Sequence, residues 1–143
     1  MITVKVNGEE RQYPQGATYE DVANDYQKEY DNLIALAARD GKIRELFKKL
    51  TRDCEITFFT LKDNVGNKTY VRSATMLFLK AVFDVYGREA AQNCRVEFAV
   101  GNGSYISPRG QIASTADNAA KIQDRMRELV AAKTPFLKRS YSL

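Results

Sequence analysis

The segment 1–16 restricts the fold more than any other part of this 143-residue chain. Apolar and polar residues alternate over Ile2–Val6, as in a strand that buries one face. Asn7-Gly8 follows, and this dipeptide is typical of a two-residue hairpin turn because both residues tolerate positive φ. A second strand is predicted to run to about Tyr13, where Pro14-Gln-Gly16 ends it. The chain therefore begins with a β-hairpin whose apolar face has to be covered.

The following segment supplies elements that can cover this hairpin. Thr18 is predicted to cap a helix whose first turn is acidic, as the helix dipole favours. Short strands are predicted over Leu33–Ala38, Ile43–Leu46 and Glu55–Thr60. This order is that of a β-grasp fold, in which the first and last strands pair at the centre of the sheet. The residues expected to fill its core are Ile2, Val4, Val22, Leu33, Leu36, Ile43, Leu50, Ile56 and Phe58.

A polar joint predicts two domains, at residues 1–61 and 68–143, with 62–67 as the linker. We expect the second domain to be α+β and incomplete, since its pattern is interrupted at Leu143. Its predicted elements are a helix over Tyr70–Tyr86, strands over Arg95–Val100 and Ser104–Ser107, a helix from a Thr115 cap to about Lys133, and an extended piece over Phe136–Ser140. The buried face of its last helix is predicted to hold Ile122, Met126, Leu129 and Val130.

The chain contains no histidine, and this absence excludes several kinds of chemistry. Serine–histidine and cysteine–histidine nucleophile pairs and imidazole-dependent zinc sites are impossible. Cys54 and Cys94 lack the spacing of a metal or redox site and are expected to be reduced and mostly buried. We predict a cytoplasmic chain with no membrane partner, no catalytic residues, and no metal or cofactor bound by these residues.

Two glycine patterns do not complete a nucleotide-binding motif. Val100-Gly-Asn-Gly-Ser-Tyr105 has Ile106 where a dinucleotide fingerprint requires a third glycine. Gly41-Lys42 is followed by Ile43, and no phosphate loop precedes it. Gly101-Asn-Gly103 is better explained as a turn between strands, with Tyr105 packed beside it; stacking of Tyr105 on a base is the alternative.

The charge is unevenly distributed along the chain. Residues 1–60 carry nine Lys/Arg and 11 Asp/Glu, a net of −2, whereas residues 61–143 carry 13 and seven, a net of +6. A basic second half can contact RNA, a nucleotide regulator or an acidic partner, or can simply be a solvated surface. The candidate nucleic-acid or partner surface consists of Lys68, Arg72, Lys80, Arg95 and Arg109.

The run Ile2-Thr-Val-Lys-Val-Asn-Gly8, the Thr18 helix and Glu55-Ile-Thr-Phe-Phe59 together resemble a TGS domain. This is a ubiquitin-like β-grasp module of threonyl-tRNA synthetases, some GTPases and stringent-response synthetases. The helix near Arg72-Ser73, the Gly101–Tyr105 turn and Arg125-Met-Arg-Glu-Leu129 resemble the editing domain of threonyl-tRNA synthetase. That editing domain carries a His-x-x-x-His pair used to deacylate mischarged tRNA. The resemblance, aligned on Ser73 and Leu77, places Arg72 and Met76 at those two positions, so the editing reaction is not expected.

A second family combines the same two units with a C-terminal P-loop kinase domain, the bacterial nucleoside (uridine) kinases. Phe98-Ala-Val-Gly-Asn-Gly-Ser-Tyr105, Lys62-Asp63 and Lys138-Arg-Ser140 look closer to that family. The resemblance implies a non-catalytic accessory region that binds its own kinase domain, RNA or a small nucleotide regulator, with ATP and Mg²⁺ used by the parent enzyme. The alternative is the N-terminal region of a threonyl-tRNA synthetase, or a degenerate tRNA-editing or RNA-binding module.

Overall fold

The structure is a computed structural model that describes residues 1–142. It contains both sheet and helix and is compatible with the predicted α+β class. The chain divides into two compact units, Met1–Arg72 and Ser73–Leu143. Within residues 1–142, no helix combines the length and apolar character needed to cross a membrane.

The N-terminal hairpin is confirmed. Strand β1 (Ile2–Val6) pairs antiparallel with β2 (Glu9–Tyr13), from Ile2 opposite Tyr13 to Val6 opposite Glu9. Asn7 and Gly8 both have positive φ, 51° and 86°. The turn therefore has the left-handed conformation that its residues predict.

Helix α1 (Tyr19–Tyr26) begins at the predicted cap. The Thr18 Oγ1 accepts a hydrogen bond from the Asp21 N–H at 3.2 Å, and the Asp21 carboxylate accepts one from the Thr18 N–H at 2.7 Å. This reciprocal capping box satisfies two backbone donors that a helix start otherwise leaves unpaired. The bond from the Thr18 N–H, together with one from the Thr18 hydroxyl at 2.8 Å, also holds the pKa of the Asp21 carboxyl below its ordinary value.

Three further strands complete the first sheet, β3 (Ile34–Arg39), β4 (Lys42–Arg44) and β5 (Cys54–Thr60). The sheet order is β2-β1-β5-β3-β4, and β1 and β5 are parallel. The predicted pairing of the first and last strands is thus confirmed. One helix packed on such a mixed sheet produces a single apolar core.

Most of the predicted core is buried, but two residues are not. Leu33 is 57% exposed and Ile43 is 50% exposed. Strand β3 begins one residue after Leu33, and Ile34 takes the buried position instead. Ile43 lies on the edge strand β4, where the alternation of strand side chains leaves it outside the core cluster. The predicted residues that are buried are Ile2, Val4, Val22, Leu36, Leu50, Ile56 and Phe58.

Helix α2 (Asn64–Tyr86) begins six residues before the predicted start at Tyr70. It therefore includes Asn64–Asn67, which the sequence placed in the joint. The Asp63 carboxylate accepts a hydrogen bond from the Thr60 N–H at 2.7 Å, and the Asp63 carbonyl accepts one from the Asn67 N–H at 2.8 Å. These bonds start the helix in a segment whose polar composition is typical of a loop.

The second unit combines α3 (Arg88–Asn93), which the sequence did not predict, with β6 (Arg95–Val100), β7 (Gly103–Ser107) and α4 (Ala116–Ala131). Thr115 caps α4 as predicted, accepting from the Asn118 N–H at 3.2 Å. The buried cluster consists of Ala81, Val82, Ala90, Cys94, Ile112, Ile122 and Leu129.

Two predictions for the second unit are wrong. Val130 is 62% exposed, because the buried face of α4 follows Ile122, Met126 and Leu129 at helical spacing and leaves the next residue outside. Residues 136–140 form no strand in the described part of the chain. A strand needs a partner for its backbone groups, and β6 and β7 pair only with each other there.

Candidate nucleic-acid interface

Helix α2 carries three of the predicted surface residues and both residues predicted to be degenerate editing positions. Lys68 and Arg72 are exposed and lie four residues apart, so they share one side of the helix. Met76 lies one turn further on and is 61% exposed. Neither the guanidinium of Arg72 nor the thioether of Met76 can accept a proton from water near neutral pH, so neither residue can act as a general base.

Lys80 belongs to an ion-pair network and is not an isolated cation. Its ammonium pairs with Asp84, and the same carboxylate accepts a hydrogen bond from the Arg125 Nε at 3.0 Å and lies 2.9 Å from the Arg125 Nη2. Arg125 also reaches Glu128 at 2.9 Å. The hydrogen bonds from Lys80 and Arg125 hold the pKa of Asp84 below its ordinary value. The main effect of this network is to connect α2 with α4 inside the second unit.

Arg95 and Arg109 lie at the same end of the β6–β7 ribbon. Arg95 is paired with Ser107, and Arg109 follows two residues later, with its Nη2 3.7 Å from the Glu97 carboxylate. Further along the ribbon, the Phe98 and Tyr105 rings stack with centroids 5.0 Å apart and an interplanar angle of 10°. Both rings are more than half exposed. The ribbon thus presents an aromatic pair and two arginines to solvent.

Two grooves in the second unit contain no set of catalytic groups among the described residues. One, of about 430 Å³, is lined mainly by apolar side chains such as Met76, Leu129 and Phe136, with Lys80 and Lys133 also lining it. The other, of about 730 Å³, includes Cys94. Burial raises the pKa of this thiol, which keeps it protonated and a poor nucleophile.

Cys54 and Cys94 are both free thiols, Cys94 buried and Cys54 partly buried. Burial raises the pKa of Cys54 as well. Residues 1–142 hold no cluster of three or more His, Cys, Asp or Glu residues placed to bind a metal ion.

Sequence reasoning missed the most basic stretch of the first unit, residues 39–52, which we call the basic segment. It contains six Lys/Arg and two Asp/Glu, a net of +4. The two acids are paired, Asp40 with Arg52 at 3.2 Å and Glu45 with Lys48 at 2.8 Å. The remaining four cations, Arg39, Lys42, Arg44 and Lys49, form no ion pair within residues 1–142. A charge count over this window, in place of the average over residues 1–60, would have found it.

Comparisons with known proteins identify threonine–tRNA ligases as relatives. No protein-family model matches the chain. The threonine–tRNA ligase of Rhizobium etli (strain CIAT 652) is 29% identical over 137 residues, which is 95% of this chain and 20% of the ligase. Those of Hyphomonas neptunium and Thermotoga petrophila are 27% and 26% identical over 139 and 150 residues, covering 96% and 99% of this chain and 21% and 22% of each ligase. The chain spans about a fifth of the length of the curated relatives it matches, and it is similar to threonine–tRNA ligases along nearly its whole length.

Proposed function

We propose that this chain is a non-catalytic accessory region of the kind found at the N-terminus of threonyl-tRNA synthetases, and that it contacts RNA without editing it. The observation that carries the proposal is the similarity to threonine–tRNA ligases over 95% of the chain. The TGS-like assignment of the first unit and the editing-like assignment of the second belong to this proposal, as does a cytoplasmic location.

The residues at the expected site lack the groups that editing chemistry requires. Ester hydrolysis needs a group that activates water near neutral pH, and histidine is the side chain best suited to this. The chain has no histidine, and Arg72 and Met76 occupy the aligned positions. Among residues 1–142, no carboxylate and no thiol lines the groove beside Met76. A role in binding is therefore favoured over hydrolysis.

The relatives reported above favour the ligase reading over a nucleoside kinase parent. The kinase parent, with its ATP, Mg²⁺ and contact to a kinase domain, stays a prediction that these findings do not test. It requires no catalysis from this chain, so the proposed binding role is common to both parents.

Two experiments test the proposal. Seryl-tRNA(Thr) incubated with the chain should lose its amino acid at the uncatalysed rate, with or without added Zn²⁺; faster release would contradict the proposal.

Fluorescence anisotropy should show that the chain binds labelled tRNA, and the double variant Arg95→Gln with Arg109→Gln should bind it more weakly. The matched control is Arg88→Gln with Arg127→Gln, which removes the same charge from α3 and α4. Absence of tRNA binding at low salt would overturn the RNA-contact part.

A further inference from the structure

The basic segment has more cations than its own acids can neutralise. After the two ion pairs are counted, Arg39, Lys42, Arg44 and Lys49 remain without a carboxylate partner in the described residues. Four acids outside the segment lie near it. Asp53 directly follows Arg52 and accepts a hydrogen bond from the Thr3 N–H, and the Glu55 N–H donates to Asp40. The other two lie in the first turn of α1. The backbone N–H of Glu20 contacts Leu46, and Asp21 is engaged with Thr18. None of these four acids forms an ion pair with Arg39, Lys42, Arg44 or Lys49 within residues 1–142.

The unpaired cations of the two strands lie on one side of the sheet edge. Arg39 and Lys42 are directly opposite in the β3–β4 pair, and Arg44 lies two residues after Lys42. Direct partners and residues two apart share a face of a sheet. The Arg39 guanidinium donates to Thr51 Oγ1 at 3.0 Å, which brings the end of the segment alongside these strands.

Backbone hydrogen bonds hold the middle of the segment in place. The Tyr19 and Glu20 N–H groups donate to the carbonyls of Lys48 and Leu46 at 3.0 and 2.8 Å, and Leu50 N–H donates to the Ala17 carbonyl at 2.7 Å. Between these anchors, Phe47 is 53% exposed. The loop presents its aromatic ring and lysines without needing to become ordered on binding, which lowers the entropic cost of an interaction.

We propose that the basic segment is a binding surface for single-stranded RNA, in which Arg39, Lys42, Arg44 and Lys49 contact phosphates and Phe47 stacks on a base. This surface goes beyond the one tested above, and it rests on the proposed function in taking RNA as the ligand. Cations that follow a backbone, combined with an exposed ring, form the arrangement that binds unpaired strands without sequence preference. A surface that bound RNA through charge alone would gain no affinity from a half-exposed phenylalanine between its lysines.

The test uses fluorescence anisotropy with a fluorescein-labelled single-stranded RNA of about 12 nucleotides. Lys42→Gln with Lys49→Gln should reduce the steepness of log K against log[salt] by about 1.4, since each lost phosphate contact removes about 0.7. Phe47→Ala should weaken binding between about fivefold and about 150-fold and leave the salt slope unchanged. Lys5→Gln with Lys28→Gln is the matched control, because it removes two exposed lysines of the same unit from outside the segment.

Several outcomes overturn the inference. An equal loss with the Lys5/Lys28 control would show that only net charge matters. Unchanged affinity after Phe47→Ala would remove the stacking. Binding to phosphatidylserine vesicles but not to RNA would assign the surface to membranes. Circular dichroism of each variant shows whether it is folded. If tRNA binding responds to Arg95 and Arg109 but not to Lys42 and Lys49, this inference fails while the proposed function stands; if the wild type binds no RNA, both fail.

Discussion

At the scale of single residues, Gly66 is the position where one added methyl group has the clearest consequence. A Cβ there would lie 2.1 Å from the carbonyl oxygen of Thr60, a backbone atom that cannot rotate away. Alanine is intrinsically better in a helix by about 1 kcal/mol, but the clash outweighs this gain. We expect Gly66→Ala to lower the free energy of unfolding by about 1–3 kcal/mol in urea denaturation. Gly103→Ala, whose Cβ would lie 3.7 Å from its nearest neighbour, is the control; equal effects would contradict the argument.

Asp84 is the residue whose protonation should affect the stability of the second unit. Its pKa is held down in the folded state by Lys80 and Arg125, so its contribution is present above the ordinary aspartate pKa and is lost as pH falls through the folded value. We expect Asp84→Asn to lower the free energy of unfolding by about 1–2 kcal/mol near neutral pH.

The same variant has a pH signature. The difference from wild type should begin to shrink below about pH 4, where the unfolded chain takes up the proton before the folded carboxylate does, and should disappear once the pH is below the lowered folded pKa. Urea denaturation at neutral and acidic pH measures it. Asp124→Asn, whose exposed carboxylate lies 3.6 Å from Arg127, should have little effect at either pH. A difference at Asp84 that stays constant into acid would exclude the ion-pair explanation.

At the scale of elements, the start of α1 depends on the Thr18 capping box. Thr18→Ala removes the side-chain acceptor for the Asp21 N–H and should cost about 1 kcal/mol of stability in chemical denaturation. Thr18→Ser keeps the hydroxyl and should restore most of this loss. If serine and alanine were equally destabilising, the packing of the threonine methyl group and not the cap would be responsible.

Elements with local signals could be predicted, and elements that depend on contacts distant in sequence could not. The Asn7-Gly8 turn and both threonine caps follow from the residues themselves. The prediction that Leu33 is buried was wrong because it depended on where the strand begins, and a short apolar run does not settle a shift of one residue. The start of α2 was missed because Asn64–Asn67 is polar, although Gly66 packs on the end of β5.

The candidate sites show the same division. The spacing of Arg72 and Met76 on one helix could be read directly from the chain. The ion-pair network around Lys80 could not be predicted. Arg125 binds the same Asp84 carboxylate, but the two residues are 41 positions apart in the sequence. The basic segment was visible in the sequence but hidden by averaging, because the rest of residues 1–60 carries three Lys/Arg and nine Asp/Glu, a net of −6.

At the scale of the whole molecule, the first unit separates its charges although its total is nearly balanced. Residues 1–38 carry three Lys/Arg and seven Asp/Glu, while the basic segment carries a net of +4. Such a distribution orients an approaching polyanion more than the small overall charge indicates, and salt screens it within about 10 Å at 0.1 M. Association with RNA should therefore depend on the placement of the cations and not on the net charge of the unit.

Because the chain contains no histidine, we expect its affinity for RNA to depend little on pH. Lysine and arginine stay protonated throughout the mildly acidic range, and the pKa values of both thiols are raised. RNA affinity at constant ionic strength should therefore change less than about twofold between about pH 5.5 and about pH 7. Lys49→His should introduce a dependence, with affinity rising as pH falls through about 6.5. Anisotropy titrations at three pH values measure the RNA affinity of both proteins. A tenfold change in the affinity of the wild type would contradict the prediction, because it would show that a carboxylate titrating in this range controls binding and the fixed cations do not.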